Sequence, residues 1–251
     1  MRIVVPFKIV ADDQDIISTS DGSLDHSKAP LVVSTYDLNA IEAAAQIAEK
    51  TSGHVTAISV GNKAIDDSKV RKNVLARGVD ELYLTADDAA DNLDAYATAS
   101  ELSKILDKVG SFDLIICGDG SADLYAQQVD VQLAARQSLP YVSAVIKAEV
   151  EGDHVIVDRM LESSVETLSV PLPAVISVSP DIALPRICGM KDILAAGKKP
   201  ATIEAAEAIE PSAIEVLEER VSPQMPRRLE IYDVEKDGDL DRFIAAVRAA
   251  L

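Results

Sequence analysis

Residues Phe112 to Cys117 form a short apolar run that ends in Gly118-Asp119-Gly120, and a helical period follows toward Gln137. A buried strand feeding a glycine turn and then a helix confines the chain to folds in which helices connect the strands of a sheet. The pattern predicts a strand over 112–117, a turn over Gly118-Asp119-Gly120-Ser121-Ala122-Asp123, and a helix from there to about Gln137. Glycines at such a turn let backbone approach a ligand without a Cβ in the way. The free N–H groups and positive dipole end of the helix suit a phosphate. In an open α/β sheet, ligands sit beyond the carboxyl ends of the strands. The turn is nevertheless not G-x-G-x-x-G, because Asp123 stands at the third glycine position, and it lacks the Gly-Lys-Ser/Thr of a P-loop. Asp119 and Asp123 would repel a phosphate unless they face hydroxyls or a base. Local pattern therefore admits both a nucleotide site and an ordinary strand-to-helix turn with Asp123 near the N-cap.

The rest of the chain repeats the same unit. Arg2–Lys8 reads as the first strand and Leu38–Lys50 as a helix with Ile41, Ala44, Ala45 and Ala48 on one face, closed by Gly53. His54–Val60 follows as a strand ending in Gly61. Ser68–Arg77 is a helix stopped by Gly78, then come a strand over Val79–Leu84 and a helix over Asp94–Val109. The polar stretch Asp12–Pro30, with a turn at Asp21-Gly22, is expected to form a small hairpin with Leu31–Val33. Such alternation implies a Rossmann-like α/β fold, a parallel sheet with helices on both faces.

From Tyr141 the period changes. Val142–Val150, Val155–Met160 and Glu166–Val170 read as antiparallel strands joined at Gly152-Asp153 and Glu162-Ser163-Ser164, a small antiparallel extension. Pro173–Val178 adds an apolar strand. Ile182–Lys199 reads as a loop and a short helix ending at Gly197. Residues 201–228 have no long period and read as an extended arm, followed by a helix over Leu240–Leu251. The expected division is a nucleotide-binding α/β domain over 1–200 and a C-terminal arm and helix over 201–251 that lies along a partner subunit.

Composition limits the chemistry. A net charge of −18 argues against nucleic acid or an anionic membrane as partner. Cys117 and Cys188 make neither a disulfide framework nor a metal cluster, so a reduced, cytoplasmic setting is expected. No apolar run approaches membrane-spanning length. His26, His54 and His154 stand in unrelated contexts with no ligand spacing around them. No serine occupies a G-x-S-x-G elbow, and Asp12, Asp13 and Asp15 lack EF-hand spacing. No nucleophile has a base beside it, so no catalytic residue and no metal site is assigned.

Several segments together carry a resemblance: YDLNAIEAA (36–44), KVRKNVLARGVDELYL (69–84), FDLIICGDGSADLYAQQV (112–129), ETLSVPLPAVISVSPDIALPRI (166–187) and MKDILAAGKKP (190–200). In this order they resemble the beta subunit of electron-transfer flavoproteins, most nearly the FixA type. The resemblance implies a heterodimer with a FixB-type alpha subunit that holds FAD. It implies electron transfer between flavin dehydrogenases, such as an acyl-CoA dehydrogenase, and other acceptors. The beta-subunit pocket would hold AMP in a simple carrier or a second FAD in an electron-bifurcating member, where NADH would dock against the flavin.

Carried over by position, that pocket comprises Pro6, Ser34, Thr35, Tyr36, Asp37, Val60, Gly61, Gly118, Asp119, Gly120, Ser121, Asp123, Ala126, Gln127, Gln128 and Val129. Backbone N–H groups of 126–129 would hold phosphate, with Asp123 and Gln128 as polar contacts. The loop Pro185–Asp192 matches the dehydrogenase-docking segment, giving Arg186, Ile187 and Met190 as docking residues. Two positions depart from the family pattern: Met160 replaces a commonly acidic residue, and Glu162-Ser163-Ser164 replaces an acidic-glycine turn. A rival expectation is a stand-alone, universal-stress-like module that binds adenine nucleotide without redox activity. An ATP-using ligase would need the lysine-bearing phosphate loop that is missing here.

Overall fold

The computed structural model describes residues 1–222 and 229–250. Residues 223–228 of the expected arm, and Leu251 at the end of the expected last helix, lie outside the described residues. Strand β1 (Arg2–Pro6) is buried from Ile3 onward. The polar segment after it forms a small hairpin of its own, but Leu31–Val33 pairs with Ile9–Ala11 and not, as expected, with residues of 12–30. β2 (Ile9–Ala11) pairs antiparallel with β5 (Leu31–Val33), and β3 (Ile17–Ser18) with β4 (Leu24–Asp25) around a left-handed Gly22. Helix α1 (Thr35–Thr51) buries Ala40, Ala43, Ala44, Ala45 and Ala48, small side chains that let it lie close on the sheet. The helix ends at left-handed Ser52, one residue before the expected Gly53.

β6 (His54–Gly61) leads to α2 (Ser68–Leu75), whose Asp67 cap accepts the N–H groups of Lys69 and Val70. β7 (Glu81–Ala86) leads to α3 (Ala95–Val109), capped by Asp94 through the Ala97 N–H. These carboxylates satisfy orphan donors at helix starts, a contribution of about 1 kcal/mol each. Then come β8 (Leu114–Gly118), α4 (Val129–Gln137), β9 (Tyr141–Glu151), β10 (His154–Met160), β11 (Val165–Pro171) and β12 (Ala174–Val178). The chain closes with α5 (Met190–Ala196), β13 (Ala201–Glu204) and α6 (Asp239–Ala250).

The main sheet has nine strands in the order β11-β10-β9-β12-β8-β1-β6-β7-β13. Pairing is parallel from β9 to β13, and antiparallel only where β10 and β11 extend the β9 edge. Alternate residues of each central strand serve opposite faces. Ile3, Val5, Leu114, Ile116 and Ile176 meet α1, whereas Val4, Ile58, Ile115 and Val175 meet α3 and α4. Burying each such Ile or Leu contributes about 1.5–3 kcal/mol, so the two apolar layers fix the sheet's orientation against the helices. The Rossmann-like α/β class read from the sequence is the observed one.

Two further expectations change, and one strand takes a place that was not foreseen. The helix expected directly after Asp123 starts at Val129, because Tyr125 and Gln127 adopt left-handed backbone (φ 46° and 54°) that no α-helix can include. Residues 201–204, expected to be arm, pair with β7 as an edge strand. The next stretch is held to the body as well. Glu210 accepts from the Tyr96 hydroxyl at 2.5 Å and from Arg136 at 2.9 Å, and Asp94 accepts the N–H groups of Ala213 and Ile214. Finally, the strand at 174–178 lies inside the sheet between β8 and β9, a place its local pattern does not encode.

Candidate functional site

β1 continues to β6 on one side, and the chain later returns to lay β8 on the other side of β1. The crevice at the carboxyl ends of β1 and β8 is therefore the point where strand order reverses, which is where open α/β sheets take ligands. Pro6, Val60, Gly61 and Gly118 end β1, β6 and β8 along one rim of the sheet. Ser34, Thr35, Tyr36 and Asp37 form the start of α1 above it. The structure brings these predicted residues together.

Contacts among them are tight. A Cβ on Gly118 would lie 2.7 Å from Asp37 Oδ1 and 3.0 Å from the Tyr36 carbonyl oxygen. A Cβ on Gly120 would enter the Tyr125 ring. The glycines thus serve close approach, as expected, but the neighbours they admit are the protein's own first helical turn and its own tyrosine. Asp37 is buried and accepts the Lys8 backbone N–H at 2.7 Å. Burial pushes its carboxyl up to about 7, against the pull of hydrogen bonds from Lys8 and Ser34.

The loop from Asp119 to Gln128 is the outer wall. The Lys8 ammonium reaches Asp123 at 2.5 Å, so Asp123 is neutralised at long range instead of capping a helix. Burial raises the Asp123 carboxyl, but the hydrogen bonds from Lys8 and Ser121 outweigh it and hold it below the usual range. The Ala122 N–H donates to the Ser34 hydroxyl at 3.3 Å. Tyr125 lies 5.0 Å from Tyr36, ring to ring, and its phenol donates to Asp119 Oδ2 at 3.1 Å. The other Asp119 oxygen, Oδ1, is shut off from solvent and accepts no hydrogen bond. Burial pushes the Asp119 carboxyl up, with the Tyr125 hydrogen bond pulling back and the charge of Asp130 adding to the rise.

Ser121 sits half-buried, and Ala126, Gln127 and Gln128 are exposed on this loop. Helix α4 opens with Gln128 at its N-cap making no side-chain hydrogen bond; the Val131 N–H is taken by the Asp130 carboxylate, and the two N–H groups before it lack a side-chain cap. Lys8 and Tyr125 were not among the residues the sequence singled out. Lys8 follows the first strand by two residues, and Tyr125 is an aromatic in a polar turn of a chain with 4% aromatics; those were the available signals.

The second predicted region, 185–192, divides. Ile187 and Met190 are 98% and 79% exposed, joined by Leu184 and Leu194, which sequence reading had not included. Arg186 is instead tied down. Its guanidinium bonds both oxygens of buried Glu42, at 2.7 and 3.1 Å, and Glu49 at 2.9 Å, while its carbonyl accepts from Arg77. Asn39 holds the same loop by donating to the carbonyls of Pro180 and Ala183. Burial would raise the Glu42 carboxyl, yet the hydrogen bonds from Arg186 and Gln46 outweigh it and hold it low.

Elsewhere, each histidine stands beside an acidic residue at the surface: His26 with Glu219, His54 with Asp80 and Glu81, His154 with Asp153. Among the described residues no group of three His, Cys, Asp or Glu could hold a metal ion, and no helix is long and apolar enough to cross a membrane. Met160 lies exposed at the end of β10, paired with Val165, and the turn after it closes through the Leu161 N–H on Ser164.

A doubly wound α/β sheet whose strand order reverses between β1 and β8 defines a Rossmann-like protein. Residues 21–209 match the family model of the electron transfer flavoprotein domain, and the chain belongs to that family.

Proposed function

We propose that this chain is the beta-type subunit of a heterodimeric electron-transfer flavoprotein of the FixA type, and that its strand-end crevice binds the adenylate part of AMP or FAD. The supporting observation is the gathering of the β1, β6 and β8 ends and the start of α1 around Gly118, in a chain of this family. The donors and acceptors present suit such a ligand. The uncapped N–H groups at the start of α4 suit a phosphate, and the unsatisfied Asp119 Oδ1 is an acceptor awaiting a donor.

When bound, a flavin would supply the redox chemistry, one or two electrons at a time. The chain's own residues would position and shield. Gly118 and Asp37 fix the crevice floor, Lys8 keeps Asp123 from repelling the phosphate, and the 119–128 loop forms the wall that excludes water. Leu184, Ile187, Met190 and Leu194 are the apolar surface offered to a flavin dehydrogenase, held by the Glu42–Arg186 pair. The residues beyond Ile214, including α6 with Leu240, Phe243, Ile244 and Val247 exposed along it, are the part that engages a FixB-type alpha subunit.

The test is the nucleotide content of the complex co-expressed with its alpha subunit, after denaturation and chromatography. One FAD with one AMP per heterodimer supports a simple carrier; two FAD and no AMP support a bifurcating member, with NADH oxidation as the following assay. Absence of both nucleotides, with no complex formed, overturns the proposal in favour of a stand-alone module.

A further inference from the structure

Four carboxylates crowd the strand-end crevice: Asp37, Asp119, Asp123 and Asp130. Three are accounted for by the protein itself. Asp37 accepts the Lys8 backbone N–H, Asp123 pairs with the Lys8 ammonium, and Asp130 accepts from the Val131 N–H and the Tyr141 hydroxyl. Asp119 is the exception. Its backbone N–H is anchored on the Val178 carbonyl at 3.1 Å, which fixes the residue immediately beyond the end of β8. One carboxylate oxygen takes the Tyr125 phenol, and Oδ1 is enclosed without a donor. Buried polar atoms in folded proteins are almost always hydrogen-bonded, so an orphan at a ligand crevice marks where a ligand's donor belongs.

We infer that Asp119 is a specificity-determining residue of the nucleotide site: its Oδ1 accepts a hydrogen bond from the nucleoside half of the ligand, a sugar hydroxyl or an exocyclic amine. The inference rests on the nucleotide reading above and adds an orientation to it. The first two N–H groups of α4 suit the phosphate, the Asp130 carboxylate beside them being occupied by the Val131 N–H and the Tyr141 hydroxyl, so the sugar and base lie over the end of β8, toward Asp119. Tyr125 is the side chain that must yield. It belongs to the loop whose residues 122–128 are exposed, and its ring rests on Gly120 and against half-buried Tyr36, so lifting it breaks the Tyr36 stacking and the bond to Asp119 Oδ2. Tyr125 donates to one oxygen of the carboxylate, and the ligand supplies the donor that Oδ1 lacks.

A site that hydrogen-bonds a ligand donor discriminates strongly against the analogue without it, because the acceptor is then left unpaired. The experiment is calorimetric titration of the nucleotide-stripped full chain with AMP, 2′-deoxy-AMP and IMP, repeated on Asp119→Asn and Asp119→Ala, with circular dichroism confirming that each variant folds. Wild type is expected to bind AMP about 10- to 100-fold tighter than one of the two analogues, the magnitude of one charge-assisted hydrogen bond. Loss against 2′-deoxy-AMP assigns the sugar hydroxyl, and loss against IMP the amine. Both Asp119 variants are expected to bind AMP more weakly and to lose that discrimination. Equal affinity of the wild type for all three nucleotides, or full discrimination by folded Asp119→Asn, would overturn the role of Asp119 while leaving nucleotide binding intact. Binding of neither AMP nor FAD by folded wild type would overturn the nucleotide reading itself, and this inference with it.

Discussion

At the scale of single residues the crevice is defined by what cannot be changed. Replacing Gly118 with alanine would push a methyl group into Asp37 and the Tyr36 carbonyl, both held by the first turn of α1. Relief requires the helix to shift, so Gly118→Ala should cost about 1–3 kcal/mol of stability, read as a lower denaturation midpoint in urea. Asp37 carries a pH signature. Its folded carboxyl titrates at about 7 against an ordinary 3.8. The native state therefore binds the proton more tightly than the unfolded chain. The contribution is complete below about pH 4 and is lost as pH rises toward 7, a change on the order of a few kcal/mol. Asp37→Asn, neutral throughout, should flatten this slope between pH 4 and 7. Urea denaturation of both proteins across that range measures it, and parallel curves would refute the assignment.

Among elements, the loop 180–189 is where sequence and structure teach most. Exposed Met190 reads as surface from its flanking Gly189 and Lys191, and Ile187 was named by resemblance alone, whereas the anchoring of Arg186 could not be read, because Glu42 and Glu49 lie about two and nearly four helical turns into α1 and far away in the chain. Glu42→Gln should free the loop at a cost of about 1–3 kcal/mol, since a nearly buried carboxylate loses its charge opposite a half-exposed guanidinium. Hydrogen–deuterium exchange should show faster exchange at 183–189 and no change in β1 or β8. The same lesson covers the wall of the crevice. Strands with continuous apolar runs and helices with clear periods were legible. The 119–128 loop was not, because Lys8–Asp123, Ser34–Ala122 and Tyr125–Asp119 are contacts between distant or unpatterned residues that override the local tendency toward helix.

On the scale of the whole molecule, the C-terminal residues separate into a part fastened to the sheet and helices and a part whose described polar contacts with the body are Glu219 beside His26 and the Val221 N–H on the Gly22 carbonyl, at the small β3–β4 hairpin. Glu204 with Lys108, Glu210 with Tyr96 and Arg136, and Asp94 with Ala213 and Ile214 fasten the chain as far as Ile214. Ending the protein after Ile214 should leave its thermal midpoint within about 2 °C, because surface changes outside the core move stability little. The same truncation should abolish assembly with the alpha subunit on size exclusion. A truncated chain that still forms the complex would place the partner's surface elsewhere.

The position of β12 has a bearing on how the chain is made. Of the described strands, it alone links the β9–β11 layer to β8. A ribosome that has released β1 through β11 has therefore produced two separate pieces, each with an unpaired apolar edge. They join only when residues 174–178 emerge, a late and long-range pairing of the kind that slows folding. The amide of Asp119 waits on the same event, since its acceptor is the Val178 carbonyl. The strand-end crevice is thus completed only after the strand that anchors it, and on the function proposed above a chain that stops short of it has nowhere to hold a nucleotide.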